Sequence, residues 1–387
     1  NKMILMNTSE LSTINPFFVM EILEEAQQLE KKGMQIVHLE IGEPIEKVDH
    51  RIISFAKKAL DRNKDKYTNS LGLIELRLLI SKYYKNNFNL SIDPNRIILT
   101  LGSSGAIILS ILSSTNYGDE IIIVKPHYPC YPQIIKILGR KVKFFETFEK
   151  DNYQINFKKL SNSITKKTKA LIINSPSNPT SISQSEEILK KISGLKIQVI
   201  SDEIYQGLSI SNKISSIFKY NSTKTIVVNG FSKLYSMTGW RLGYCILPKK
   251  IIRVGQKLQQ NMFICAPTLS QHAATKAFSI PEKNKNVLLM SYKKKRDYLI
   301  KNLNKMGINI DYYPDSAFYI FCDFSKFTNN SLMFCKEILN KTGLALAPGI
   351  DFGDNYKNFV RISYAGSFSD LRKGVKLLSN FLMKYNV

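Results

Sequence analysis

The feature that most constrains this chain is a series of short apolar runs, each stopped by small or turn-forming residues. RIILT (96–100) runs into LGSSG, EIIIV (120–124) into KPHYPCYP, and KALIIN (169–174) into SPSNPTSIS. The segment 198–200 leads into SDEIYQGL, and TIVVNG (225–230) into FSKLYSM. Runs of this length, rich in β-branched residues and bounded by Gly, Pro, Asn or Ser, read as buried strands. Helical spacing is predicted within 11–33, opened by Pro16 and closed by Gly33, over 50–62, from Ile74 onward, after Gly105 and over 285–305. Strands that alternate with helices make an α/β chain. In open α/β sheets ligands gather outside the carboxyl ends of the strands, so the residues that follow each strand are the functional candidates.

The segment 229–244, NGFSKLYSMTGWRLGY, carries the sharpest of them. Its single lysine, Lys233, follows Gly230 and Ser232, and Arg241 lies eight positions on, beside the chain's only tryptophan, Trp240. A lysine shielded at the mouth of a sheet loses solvation of its charged form, so its pKa falls and the neutral amine becomes a nucleophile. An arginine keeps its proton and suits a fixed anion such as a phosphate. A surface Lys and a surface Arg would satisfy the same letters, and 55 Lys and Arg make any one pair common. Gly102, Ser103, Ser104 and Gly105 form a small-residue turn between a strand and an apolar helix. Free N–H groups and the helix dipole there suit a phosphate, although a serine cap also serves stability alone. With Arg241 the turn would make a two-sided clamp.

Other positions carry two readings each. Tyr128, between Pro126 and Pro129, is a stiff-loop ring that packs in the core or faces a ligand. Asp202 is a helix cap or an anion aimed at a ligand. Gly42 ends a predicted strand over 36–44 and is a plain turn or a close approach to a ligand. Arg361 sits in an otherwise apolar strand, 359–364, and requires either an internal carboxylate or a bound anion.

As a set, Gly230-x-Ser232-Lys233 followed by Ser236, Met237, Gly239, Arg241, Leu242 and Gly243 resembles the lysine-attachment signature of the class I/II pyridoxal-phosphate aminotransferases of fold type I. The likeness continues at IGEP around Gly42, at Y-x-x-x-x-G-x-x-x-L-R from Tyr67, at D-E-I-Y from Asp202 and at V-R-I-S-Y-A around Arg361. At 175–181 the chain reads SPSNPTS against the family's N-P-x-N-P-T-G, so Ser181 replaces a glycine and the loop geometry stays open there. Pro179 admits a cis bond. The motifs stand in the family's order and cover almost the whole chain.

The resemblance implies a large domain, 46–284, with a mostly parallel seven-stranded sheet in an α/β/α sandwich. It implies a smaller α+β domain from 1–45 and 285–387. It implies pyridoxal phosphate joined to Lys233, with Asp202 at the ring nitrogen and Asn178 and Tyr205 on the phenolate oxygen. Tyr128 would stack on the ring. Ser103, Ser104, Ser232 and Arg241 would bind the cofactor with them, and Tyr67 would reach the neighbouring subunit's phosphate in a homodimer. Arg361, Asn178 and Gly42 would take the substrate, and Lys233, Asp202 and Tyr205 would carry the chemistry. The expected reaction moves an amino group from an L-amino acid to a 2-oxo acid. A carbon–sulfur lyase of the same fold and a cofactor-binding regulatory module are the rivals; the latter carries a DNA-binding extension, and none precedes residue 11. No arginine is required to read a dicarboxylate side chain, which leaves the amino donor open.

Composition limits the remaining classes. A net charge of +24 invites an acidic partner. The lysines are scattered, however, and the runs 293–296 and 249–250 are expected to be solvated faces near helices. No aromatic-interleaved basic motif is present, so no nucleic acid is expected. Five dispersed cysteines without CxxC argue against a disulfide scaffold and a zinc site, and for a reducing cytosol. No signal peptide and no long uncharged apolar run appear, so a cytoplasmic protein without a membrane span is expected. The chain begins at Asn1, which leaves its native start open.

Overall fold

The computed structural model describes residues 10–211 and 215–383. Seven strands form the central sheet: β1 (Ile97–Leu101), β2 (Glu120–Lys125), β3 (Lys141–Glu146), β4 (Thr168–Asn174), β5 (Gln198–Asp202), β6 (Thr225–Gly230) and β7 (Leu242–Ile246). Their order is β1-β7-β6-β5-β4-β2-β3, and only β7 runs against its neighbours. The apolar runs are unbroken because both faces are covered. Ile122, Leu171, Ile173, Val199 and Val227 pack on one side, and Ile121, Ile123, Ala170, Ile172, Ile200, Ile226 and Val228 on the other. Each of these Val, Leu and Ile side chains stabilises the fold by about 1.5–3 kcal/mol on burial. The register sets Asn174 beside Asp202 and Gly230 beside Gly243, all at one edge of the sheet.

A second core joins the two ends of the chain. Helix α1 (Phe18–Lys31) contributes Ile22 and Ala26, which pack with Leu344, Leu346, Ile362 and Leu371. Beside them lies a three-stranded antiparallel sheet of β8 (Tyr319–Asp323), β9 (Ala347–Pro348) and β10 (Phe359–Ser363), in the order β9-β10-β8. We propose that the division into 46–284 against 1–45 and 285–387 follows this separation of cores.

Three local expectations are corrected. The predicted strand over 36–44 is a strand only at Val37–His38, which pairs with Leu344–Ala345. Beyond it the backbone changes partners: the Leu39 N–H donates to the Ala345 carbonyl and the Leu39 carbonyl accepts from the Ser363 N–H. Helix α1 starts at Phe18 rather than at Pro16, because Asp351, far along the chain, accepts the Phe18 and Val19 N–H groups at 3.1 and 2.8 Å. The basic run 293–296 lies on helix α3 (Glu282–Lys305), but only Lys293 and Lys294 face solvent. Lys295 donates to the Gly366 carbonyl at 2.6 Å, and Arg296 is buried against Pro314, Tyr313 and Asp297. The helical turn carries half of the run inward. Among the described residues no helix is long and apolar enough to cross a membrane, and no cluster of His, Cys, Asp or Glu could hold a metal.

Candidate active site

The carboxyl edge of the sheet opens into a cavity of about 510 Å³. Gly42, Ser103, Ser104, Tyr128, Asn178, Asp202, Tyr205, Ser232, Lys233, Arg241 and Arg361 all line it, although they are spread over more than three hundred residues of sequence. Tyr67 does not: it is 79% exposed and lines a separate surface hollow with Lys66, Thr68 and Thr268.

Lys233 follows the end of β6, and its amine donates to the Gly42 carbonyl at 2.7 Å. Burial, and then the nearby Arg361 charge, pull the Lys233 amine down to about 8. Gly42 is required where it stands, since a Cβ there would lie 1.8 Å from the Tyr319 hydroxyl. Asp202 ends β5 and is buried. The Tyr131 hydroxyl donates to it at 2.7 Å and the Ile204 N–H at 3.1 Å. Burial still raises its carboxyl to about 6, against the downward pull of those two donors and of Lys233. The Asp202 side chain thus spends one oxygen on each donor, and the residue at the start of the next short helix, Gln206–Leu208, is Tyr205.

Arg241 sits in the left-handed region at φ 50°, and its Nη1 donates to the Thr238 carbonyl at 2.9 Å. It leans over the start of helix α2 (Gly102–Ser114), which has no side-chain cap. A Cβ on Gly102 would come within 2.7 Å of Arg241 Nη2, and one on Gly243 within 2.5 Å of the Ser103 nitrogen. Two glycines thus bring a fixed cation, uncapped N–H groups and two serine hydroxyls to one end of the cavity, a combination that fits a phosphate.

Arg361, in β10, is 2% exposed, and among the described residues it forms no ion pair. Its Nη1 donates to Asn178 Oδ1 at 2.9 Å and its Nη2 to the Glu40 carbonyl, while Nε is buried without a partner. The rings of Tyr319 and Phe352 lie 4.4 and 5.1 Å from its Cζ. The internal salt bridge that the sequence left open is absent there. A buried cation without an ion-pair partner fits a ligand carboxylate. Asn178 gives its oxygen to Arg361, which leaves its NH₂ donors for the cavity.

Several residues escaped the sequence reading. Tyr131 fixes Asp202, and Tyr319 meets the Tyr205 hydroxyl at 2.9 Å. Asn174 donates to the Asp202 carbonyl at 3.0 Å and accepts the Asn178 N–H at 2.7 Å. Phe17 packs edge-on against Tyr128, with ring centroids 6.1 Å apart. Only Asn174 carried a usable signal, as the last residue of a strand beside Asp202. The Ser181 departure is accommodated: it sits at φ 58°, the conformation glycine favours, and its hydroxyl accepts the Tyr319 N–H at 2.9 Å.

The profile of aminotransferase class I and II matches residues 35–378. The chain belongs to that family and is an aminotransferase; the lyase and regulatory readings gain no support. It is 39% identical over 382 residues, 98% of this chain and 100% of the relative, to a (5-formylfuran-3-yl)methyl phosphate transaminase of Methanocaldococcus jannaschii. It is 34% identical to a valine–pyruvate aminotransferase of Mycobacterium tuberculosis, covering 95% of this chain and 97% of that one. Among solved structures, an aminotransferase from Mycobacterium tuberculosis superposes with a TM-score of 0.93 at 33% identity, over 98% of this chain and 100% of that one. Thermus thermophilus aspartate aminotransferase with maleate gives 0.92 at 28%, over 97% and 100%. The fold is that of these aminotransferases, with the mostly parallel seven-stranded sheet expected from the sequence.

Proposed function

We propose that the chain uses pyridoxal phosphate to move amino groups between L-amino acids and 2-oxo acids in a ping-pong cycle. The reading is carried by one observation: Lys233 and Asp202 line the same cavity, between the uncapped α2 end with Arg241 and the anion-free Arg361. Bound there, pyridoxal phosphate would supply an aldehyde to take up the amino group and a ring to draw off the charge released at the α-carbon. Ser103, Ser104, Ser232, Arg241 and the α2 N–H groups would hold its phosphate. Asn178 and Tyr205 would donate to its phenolate oxygen, Tyr128 would cover its face, and Asp202 would hold the proton on its ring nitrogen.

The substrate's α-carboxylate lies in the fork of Arg361 beside Asn178 and under Gly42, and this fixes the α-carbon near Lys233. Lys233 Nζ would take the proton from the α-carbon and hold it for return. Burial, and then the Arg361 charge, lower its pKa, so more of the amine is free base near neutral pH than in an exposed lysine. Tyr67, exposed on the surface, would contribute to the phosphate of a second copy, so the proposed working unit is a homodimer; the proposed compartment is the cytoplasm.

The test is a single turnover without acceptor. The cofactor-loaded protein should release one equivalent of 2-oxo acid from an amino acid and then stop until a second 2-oxo acid is added. Continued ammonia release without acceptor would contradict the cycle. Asp202 must be ionised to hold the proton on the ring nitrogen, so the affinity of the cofactor-free protein for pyridoxal phosphate should fall as pH drops through about 6. Tyr131→Phe removes a hydrogen bond that favours the carboxylate, so the loss should begin at higher pH. An unshifted acid limb would remove Asp202 from its role.

A further inference from the structure

The cavity contains three cationic side chains among its lining residues, Lys233, Arg241 and Arg361. On the reading above each is already engaged: Lys233 with the transferred proton, Arg241 with the phosphate end at α2, and Arg361 with the α-carboxylate. Among the described residues of the one chain, no fourth cation faces the space that remains. Its wall is instead Phe17, Val19, Met20 and Ile41. Asp351 fixes the first three by accepting the Phe18 and Val19 N–H groups at the start of α1. The charged side chain at the rim is Glu43, which accepts a hydrogen bond from the Thr238 hydroxyl, and its sign is negative.

A second carboxylate on the substrate would be stripped of water against these apolar groups and held near the like charge of Glu43, which disfavours binding. An aliphatic, thioether or aromatic side chain would displace water from the same wall and gain from it. We propose that this aminotransferase takes monocarboxylate amino donors with apolar side chains, and that Phe17, Val19, Met20 and Ile41 are the residues that select them. The proposal rests on the aminotransferase reading above for the orientation of the substrate.

Two measurements on the cofactor-loaded protein test it. The first is calorimetric binding of unreactive acids, with 3-phenylpropionate and 4-methylpentanoate set against maleate. The apolar monocarboxylates should bind at least ~30-fold more tightly, and equal or tighter maleate binding would overturn the proposal. The second is kcat/KM with L-leucine, L-methionine and L-phenylalanine against L-aspartate and L-glutamate. A preference of at least ~100-fold for the apolar donors is expected, and a preference for either dicarboxylate would overturn it. If the monocarboxylates bind preferentially and no donor is converted, the amino-transfer reading fails while the apolar wall stands. Met20→Arg, at a position already 40% exposed, adds a cation to the wall. It should raise kcat/KM for L-aspartate at least ~10-fold relative to L-leucine, and an unchanged ratio would remove α1 from the selecting wall.

Discussion

Replacing Lys233 by alanine should abolish amino transfer, by on the order of 10⁴-fold or more, in a protein that stays folded. The loss would be large because on the proposed reading one nitrogen has two tasks, holding the cofactor and moving the α-proton, and among the described residues no other amine lines the cavity. The fold should tolerate the change. Its amine makes one hydrogen bond, to the Gly42 carbonyl, and keeping a charged amine in that setting is itself unfavourable, as its lowered pKa attests. The net stability change should be within about 1 kcal/mol. The check pairs a melting curve with the visible spectrum after pyridoxal phosphate is added. An unchanged melting temperature with no cofactor band is the expected pair. A normal band in the variant would show that a different lysine holds the cofactor.

Arg361→Ala should lower kcat/KM by about 10²–10³-fold, mainly through the apparent KM of both amino acid and 2-oxo acid. Two effects combine. The fork that would grip the α-carboxylate is lost, and Asn178 Oδ1 and the Glu40 carbonyl lose their donor. Arg361→Lys separates charge from geometry. A lysine keeps the positive charge but cannot serve Asn178, Glu40 and a carboxylate in one plane, so it should recover only part of the loss. Steady-state kinetics on the three proteins would decide it. Unchanged KM values in the alanine variant would exclude Arg361 from substrate binding, whereas a loss confined to stability would make it a purely structural residue.

What was legible in the sequence is what is local. Each central strand from which a candidate was drawn could be read because burial on both faces demands an unbroken apolar run, as at Ile121, Ile122 and Ile123. Residues at and just beyond the strand ends line the cavity, and the positions of Lys233, Asp202 and the Ser103–Ser104 turn could be read in that way. What was not legible depends on partners distant in the chain. Asp351 decides where α1 begins, and Tyr131 needs the fold to bring it to Asp202. The tyrosine Tyr319 became a neighbour of Gly42 and Tyr205 only once β8 was set against them. The buried half of the basic run at Lys295 and Arg296 was hidden for a related reason: composition marks a charge as solvated, and only the helix phase and the carbonyls of Gly366 and Pro314 say otherwise. The two readings of Arg361 could not be separated without knowing that, among the described residues, no carboxylate pairs with it.

The most direct measurement reduces the cofactor-loaded protein with borohydride, which makes any bond between a lysine nitrogen and the cofactor aldehyde permanent, and then locates the added mass by peptide mapping. The account predicts one label per chain, on Lys233. A label spread over the surface lysines, or confined to a lysine outside this cavity, would contradict it.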